Sequence, residues 1–220
     1  MSQRVRIVPA ILTEDVGELV KLARQAEKFT DYVQFDIMDG DFVPSRSVSC
    51  AQIVGLKTAL KWEAHLMVRH PEDCLEDFRK AGARKIVFHY EATPDPGKII
   101  NKIKKLGMKA GLAVNPETSI AATTSLVDKV DSLLFLSVNP GFYGARFIPE
   151  VLQKIVAFRK LYPETETGID GGVKENNIGQ IARTGVDVIF IGSAIFLQPD
   201  PAASYRQLKK LAEASVQKHA

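Results

Sequence analysis

The most constraining feature of the sequence is a regular alternation of short apolar runs with longer amphipathic segments. Each apolar run is rich in Val, Ile, Leu and Phe, and each is followed by a turn and a segment of helical period. Alternating strand and helix units form parallel sheets, and eight units in 220 residues favour closure into a barrel. The pattern predicts a (β/α)8 TIM barrel, with a doubly wound open sheet as the alternative. The predicted strands are residues 6–11, 32–38, 62–67, 85–89, 108–114, 133–138, 165–170 and 187–192.

Helix signals lie between these strands. Apolar side chains recur at helical spacing in residues 15–28. Proline suits the first position of a helix and stands at, or just before, the start of three further predicted helices, residues 72–80, 149–161 and 201–214. No linker rich in Pro, Gly or Ser interrupts the pattern, so residues 1–220 are expected to form one barrel domain.

The charge pattern argues against large anionic partners. The net charge is only +3 at pH 7 and the basic residues are scattered, whereas nucleic-acid and membrane surfaces need concentrated basic patches. No apolar run approaches the roughly 20 residues that span a bilayer, and the first residues lack the apolar core of a secretory signal. We expect a cytoplasmic protein that binds a small anion, with no nucleic-acid or membrane partner.

The two cysteines, Cys50 and Cys74, lack the CxxC spacing of redox and metal motifs. A reducing cytoplasm keeps such residues as thiols. We therefore expect both to be free thiols with a packing role.

Polar residues gather where the predicted strands end, and in such barrels these ends form the mouth that carries the active site. Side chains alternate across a strand, so Gln34, Asp36 and Met38 share one face, and Glu63, His65 and Met67 share another. Buried carboxylates and imidazoles are costly unless they are paired or bind a metal. Each could be a structural polar residue, but their occurrence at several strand ends favours a site.

Glycines follow the last two predicted strands, at Gly171, Gly172 and Gly192, the last of which precedes Ser193. In this fold the loops after strands seven and eight commonly bind phosphate, because glycine lets backbone N–H groups approach the anion. The segment 139–144 contains two more glycines and suits a mobile lid. Ordinary turns are the alternative for both segments.

Together these segments resemble the ribulose-phosphate 3-epimerase family across essentially the whole chain. The resemblance implies a ribulose-phosphate-binding barrel that reversibly converts D-ribulose 5-phosphate to D-xylulose 5-phosphate. It also implies one divalent metal, commonly zinc, iron, manganese or cobalt, and a homo-oligomer, dimeric or hexameric. The motifs that carry it are DIMDGDFVP (36–44), HLM (65–67), NPET (115–118), VNPGF (138–142), DGGV (170–173) and GSAIF (192–196).

The resemblance also assigns roles to individual residues. Inversion at C3 needs a proton removed from one face and returned to the other, and Asp36 and Asp170 are the implied acid–base pair. With His65 they are also the implied metal ligands. The residues implied to bind the substrate or its phosphate are His65, Gly141, Phe142, Gly144, Gly171, Gly172, Gly192 and Ser193, and those implied to line the pocket are Met38, Met67 and Ala10.

The sequence departs from the family at several positions. Ala10 stands where a serine is usual, and Gln34 stands where a histidine normally binds the metal. A neutral amide oxygen is a weaker ligand for zinc than imidazole, so we expect a metal that is weakly held or even absent. Leu136 also replaces a common methionine, and residues 143–146 replace a usual Gly-Gly-Gln loop.

These departures leave three other functions open. The chain could epimerise another ketose phosphate, such as allulose 6-phosphate, with the same chemistry at C3. It could be a related synthase that uses the enediolate for carbon–carbon bond chemistry, or a sugar-phosphate-binding barrel without activity.

Overall fold

The computed structural model describes residues 5–141 and 145–217, and it contains a closed barrel of eight parallel strands. Each strand pairs with the next in sequence, and β8 pairs with β1. The TIM-barrel prediction is confirmed, and each predicted strand overlaps an observed one. The largest shift at a strand's C-terminal end is in β6, which ends at Leu136 rather than at residue 138. The strands are β1 Arg6–Ile11, β2 Tyr32–Met38, β3 Lys61–Met67, β4 Lys85–His89, β5 Lys109–Val114, β6 Ser132–Leu136, β7 Glu166–Asp170 and β8 Val188–Ile191.

Helices cover the outside of the barrel. The predicted helix 72–80 is divided into a 3-10 turn, Pro71–Asp73, and an α-helix, Leu75–Lys80. A short helix follows β8 directly, before the long C-terminal helix. The α-helices of the described ranges are α1 Val16–Ala26, α2 Cys50–Val54, α3 Leu75–Lys80, α4 Pro96–Lys105, α5 Ile120–Thr123, α6 Glu150–Leu161, α7 Glu175–Ala182, α8 Ser193–Phe196 and α9 Pro201–Gln217.

Side chains alternate between two cores, as the strand pattern predicts. Phe35 and Ile37 of β2 join the large core between the strands and the helices. A smaller apolar cluster, which includes Ala10, Val87 and Leu136, fills the inside of the barrel. Gln34 and Asp36, which alternate with Phe35 and Ile37, therefore point into the barrel.

The prediction that Cys50 and Cys74 are free thiols is wrong, because a disulfide joins them. Cys50 begins α2 and Cys74 directly precedes α3, and these helices follow the neighbouring strands β2 and β3. The pairing of β2 with β3 brings these helices together, and the two Cα atoms lie 6.0 Å apart although 24 positions separate them in sequence. The pairing is a tertiary contact that residue spacing does not reveal. As for membranes, no helix in the described part of the chain is long and apolar enough to cross one.

A charged cluster occupies the N-terminal floor of the barrel. The Lys85 ammonium lies 3.0 Å from Glu63 Oε2 and 3.2 Å from Glu166 Oε1. The Tyr32 hydroxyl donates to Glu63 Oε2 at 2.8 Å, and exposed Arg6 pairs with Glu166. Glu63 and Lys85 are almost fully buried, so each charge depends on the other for compensation.

We expect Lys85→Met to destabilise the protein by about 3–5 kcal/mol, because it leaves the buried Glu63 carboxylate without its cation. Arg6→Met is the matched control, since it removes an exposed partner of the same cluster and should cost about 1 kcal/mol or less. Urea denaturation of both variants measures the difference. Equal losses of free energy of unfolding would contradict the compensating role of Lys85.

Candidate active site

A cavity opens at the C-terminal ends of the strands. Its lining combines apolar side chains with a few polar groups, as is common in sites for small molecules. Most of the residues predicted for the site line it together, whereas Phe142 and Gly144 lie outside the described residues. The predicted residues that line it are Ala10, Asp36, Met38, His65, Met67, Gly141, Asp170, Gly171, Gly172, Gly192 and Ser193.

Asp36, His65 and Asp170 form the polar centre of this cavity. The register of β2 against β3 places Asp36 opposite His65, and Asp170 is the last residue of β7. His65 Nδ1 lies 3.1 Å from Asp36 Oδ1 and 3.6 Å from Asp170 Oδ2. One ligand atom of each residue lies within 4.8 Å of the others, so the three could hold a metal ion. Two carboxylates and an imidazole suit a divalent transition metal.

Gln34 lies directly beneath this cluster and is fully buried. Its amide nitrogen donates to Asp36 Oδ1 at 2.9 Å and to Asp170 Oδ2 at 2.8 Å, so one amide bridges the two carboxylates. Its amide oxygen has no hydrogen-bond partner among the described residues. Ala10 is the register partner of Gln34 on β1, which places the two main departures from the family side by side.

The surroundings raise the pKa values of both Asp36 and His65. Burial and the neighbouring Asp170 carboxylate raise the pKa of Asp36 to about 6, although His65 and Gln34 oppose the shift by donating to it. Burial alone would lower the pKa of His65, but Asp170 and Asp36 outweigh it and raise that pKa to about 9. Without metal, the His65 imidazolium therefore compensates the carboxylates at neutral pH.

A chain of contacts continues from His65 away from the cavity. Its Nε2 atom lies 3.0 Å from His89 Nε2, and His89 Nδ1 lies 3.3 Å from Glu91 Oε2. Burial lowers the pKa of His89 to about 4, so this ring is neutral. The Glu91 carboxylate also accepts from the backbone of Asn115 at 2.9 Å and from the Thr118 hydroxyl.

The glycine loops form the other wall of the cavity. Gly171 has φ +107° and Gly172 has φ +64°, a region that L side chains rarely adopt. A Cβ on Gly171 would also collide with Val138, and a Cβ on Gly172 would lie tightly against Phe147. Gly171, Gly172 and Gly192 all line the cavity, and Gly192 directly precedes α8.

The model of the ribulose-phosphate 3-epimerase family matches residues 6–196. The chain belongs to this family. It is 37% identical to the ribulose-phosphate 3-epimerase of Mycobacterium tuberculosis over 215 residues, 95% of this chain and 93% of the relative. It is 39% identical to the ribulose-phosphate 3-epimerase of Escherichia coli K12 over 202 residues, 88% of this chain and 90% of the relative.

More distant structures show the same fold for this epimerase-family chain. KGPDC from Streptococcus mutans superposes with a TM-score of 0.77 at 12% identity, covering 96% of this chain and 99% of that one. The 3-hexulose-6-phosphate synthase of Salmonella typhimurium has a TM-score of 0.71 at 14% identity, covering 98% of this chain and 100% of that one. At such identities the likeness concerns the barrel alone.

Sequence reasoning did not assign the second histidine of this epimerase-family site. His89 and Glu91 stand at the end of β4, among the polar strand ends, but spacing does not reveal that His89 contacts His65. The alternation of side chains along β4 could have indicated this position, because Lys85, Val87 and His89 share one face of the strand.

In the metal-free protein we expect Asp36 to be protonated below about pH 6 and ionised above it, rather than near the usual 3.8. Carboxyl ¹³C NMR during a pH titration measures the midpoint. Asp170→Asn should lower it, because this variant removes the repelling charge. A wild-type midpoint near 4 would show that burial and Asp170 do not perturb Asp36.

Proposed function

We propose that this chain catalyses the reversible 3-epimerisation of D-ribulose 5-phosphate to D-xylulose 5-phosphate. The observation that carries the proposal is the pair Asp36 and Asp170, which face one cavity from β2 and β7. Relatives that bear the name ribulose-phosphate 3-epimerase align over most of the chain and support the reaction.

The two carboxylates supply what inversion at C3 requires. One aspartate removes the C3 proton from one face, and the electron pair of the broken C–H bond enters the enediolate. The other aspartate then delivers its proton to the opposite face of C3. The pKa of Asp36, raised to about 6, suits a group that both accepts and donates a proton near neutral pH.

The glycine loops are proposed to hold the substrate phosphate. Gly171 and Gly172 follow β7, Gly192 and Ser193 follow β8, and all four residues line the cavity, so their backbone N–H groups are the proposed donors to the phosphate. Met38 and Met67 pack together beside the acidic cluster and present an apolar surface to the sugar. A phosphate at the glycine end places the sugar carbons over Asp36 and Asp170.

Asp36, His65 and Asp170 would hold one divalent metal, and the unpartnered oxygen of Gln34 is available as a weak further ligand. When bound, the metal supplies Lewis-acid stabilisation of the enediolate oxygens. In the structure the Gln34 nitrogen points at both carboxylates, so its amide must turn before its oxygen can coordinate. We therefore propose a site that binds metal more weakly than one with a second imidazole.

We also propose that the enzyme acts in the cytoplasm. Each subunit is a single barrel domain, and the subunits form a homo-oligomer. The Cys50–Cys74 disulfide argues against this location, because cytoplasmic reductants normally keep cysteine pairs reduced.

We expect enzyme in heavy water to introduce deuterium at C3 of ribulose 5-phosphate while xylulose 5-phosphate forms. Asp36→Asn and Asp170→Asn should each abolish net epimerisation. Because each variant retains one base, each should still exchange the C3 proton of one epimer, and the two variants should retain exchange with opposite epimers. Proton NMR of the recovered sugars measures exchange and epimerisation separately.

Asp95→Asn is the matched control, since Asp95 caps α4 on the surface and should leave both rates unchanged. Exchange only with a hexulose phosphate such as allulose 6-phosphate would assign a different substrate. Binding without exchange would show a barrel that has lost activity. Carbon–carbon bond formation without C3 exchange would indicate a synthase.

We expect Gln34→His to tighten metal binding by at least about 10-fold, because imidazole replaces an amide as the fourth ligand. Metal analysis and chelator competition on proteins purified without chelator measure the change. Gln34→Asn is the control, since it retains an amide and should bind metal no more tightly than the wild type. Stoichiometric, chelator-resistant zinc in the wild type would contradict the weakened site.

A further inference from the structure

His65, His89 and Glu91 contact one another in series, and these contacts determine which ring nitrogens of the two histidines carry protons. Both imidazole rings are fully buried, so water does not satisfy their ring nitrogens. The two Nε2 atoms lie 3.0 Å apart, a distance that accommodates one proton between them but not two. The position of that proton determines whether the Nδ1 atom of His65, which faces the cavity, can offer a free electron pair.

Glu91 sets the direction of the hydrogen bonds between these three side chains. Its Oε1 atom accepts from the Asn115 N–H at 2.9 Å and from the Thr118 hydroxyl, and its Oε2 atom lies 3.3 Å from His89 Nδ1. Donors around Glu91, His89 first among them, outweigh the effect of burial and lower the pKa of this carboxyl, so it is ionised and only accepts. His89 must therefore carry its proton on Nδ1, and its Nε2 atom must accept from His65.

We infer that Glu91 and His89 are positioning residues that fix the Nε2–H tautomer of His65 and so present its Nδ1 electron pair to a bound metal. His65 Nδ1 is the atom that faces Asp36, 3.1 Å from its Oδ1. Because Nε2 stays protonated, Nδ1 can exchange its proton for a metal while the hydrogen bonds to His89 and Glu91 are unchanged. This inference rests on the metal site of the proposed function, but its proton arrangement exists without metal.

The surroundings hold Glu91 in place for this role. Lys154 of α6 donates to the backbone oxygens of Asn115, Pro116 and Thr118, at 3.1, 2.8 and 2.7 Å. These bonds order the loop whose Asn115 and Thr118 contact Glu91. The Phe42 ring packs against the His89 imidazole, with the ring centroids 4.9 Å apart.

Glu91→Gln tests the inference with little change of shape. The amide oxygen would keep the two donors of Asn115 and Thr118, so the amide N–H₂ would face His89 Nδ1. The His89 proton would then move to Nε2, and His65 would have to accept it there. His65 would keep a proton on Nδ1, at the position proposed for the metal.

Long-range ¹H–¹⁵N NMR of the metal-free proteins assigns the protonated nitrogen of each ring. We expect Nδ1–H for His89 in the wild type and Nε2–H in Glu91→Gln. Thr118→Val is the matched control, because it removes one donor to Glu91 but keeps the carboxylate, and its histidine pattern should match the wild type. Zinc affinity should fall about 10- to 100-fold in Glu91→Gln and change little in Thr118→Val.

The two proposals fail in different ways. A wild-type His89 protonated on Nε2, or an unchanged pattern in Glu91→Gln, would overturn the positioning role whatever the affinity for zinc. Equal loss of zinc affinity in Glu91→Gln and Thr118→Val would also overturn it, because loop distortion would then explain the loss. A wild type that binds no zinc would instead remove the metal site, and the NMR patterns would still decide the direction of the proton chain.

Discussion

The alternation of side chains across eight parallel strands is the constraint on which the site depends. Because successive residues face opposite sides of a strand, Asp36 and His65 can point into the barrel only if Phe35 and Leu66 point to the helices. The one-to-one register of β2 with β3 then places the carboxylate opposite the imidazole. A shift of one residue in β2 would turn Asp36 towards the outer apolar core, and the same shift in β3 would turn His65 towards it.

The inside of the barrel is layered by polarity. The charged floor around Glu63 and Lys85 and the acidic cluster at the mouth are separated by the apolar cluster that includes Val87 and Leu134. Each polar layer compensates its own charge, the floor through Lys85 and the mouth through the His65 imidazolium or a metal. The apolar layer between them excludes water and allows the floor to stabilise the fold while the mouth carries the chemistry.

The two departures from the family act at one place. Ala10 and Gln34 are register partners on β1 and β2, directly below the acidic cluster. Ala10 offers no hydroxyl to the unpartnered oxygen of Gln34, whereas the Gln34 nitrogen bridges Asp36 and Asp170. An amide in this position holds the two carboxylates in a fixed relation even without metal. The cost is a weaker ligand beneath the cluster, in accordance with the proposed reduction in metal affinity.

Local periodicity and the order of motifs were sufficient to predict the barrel, nearly all strand bounds to within one residue, and the inward face of Asp36, because these depend on residues adjacent in sequence. The same information placed Asp36, His65, Asp170 and the glycine loops at one mouth through the general rule for parallel strands. It did not predict the Cys50–Cys74 bond, the Glu63–Lys85 pair or the contact between His65 and His89. These contacts join residues on neighbouring strands or on the helices that follow them, and the pairing of those strands sets their separation. Strand pattern therefore determined which way each side chain points, and tertiary packing decided which side chains meet.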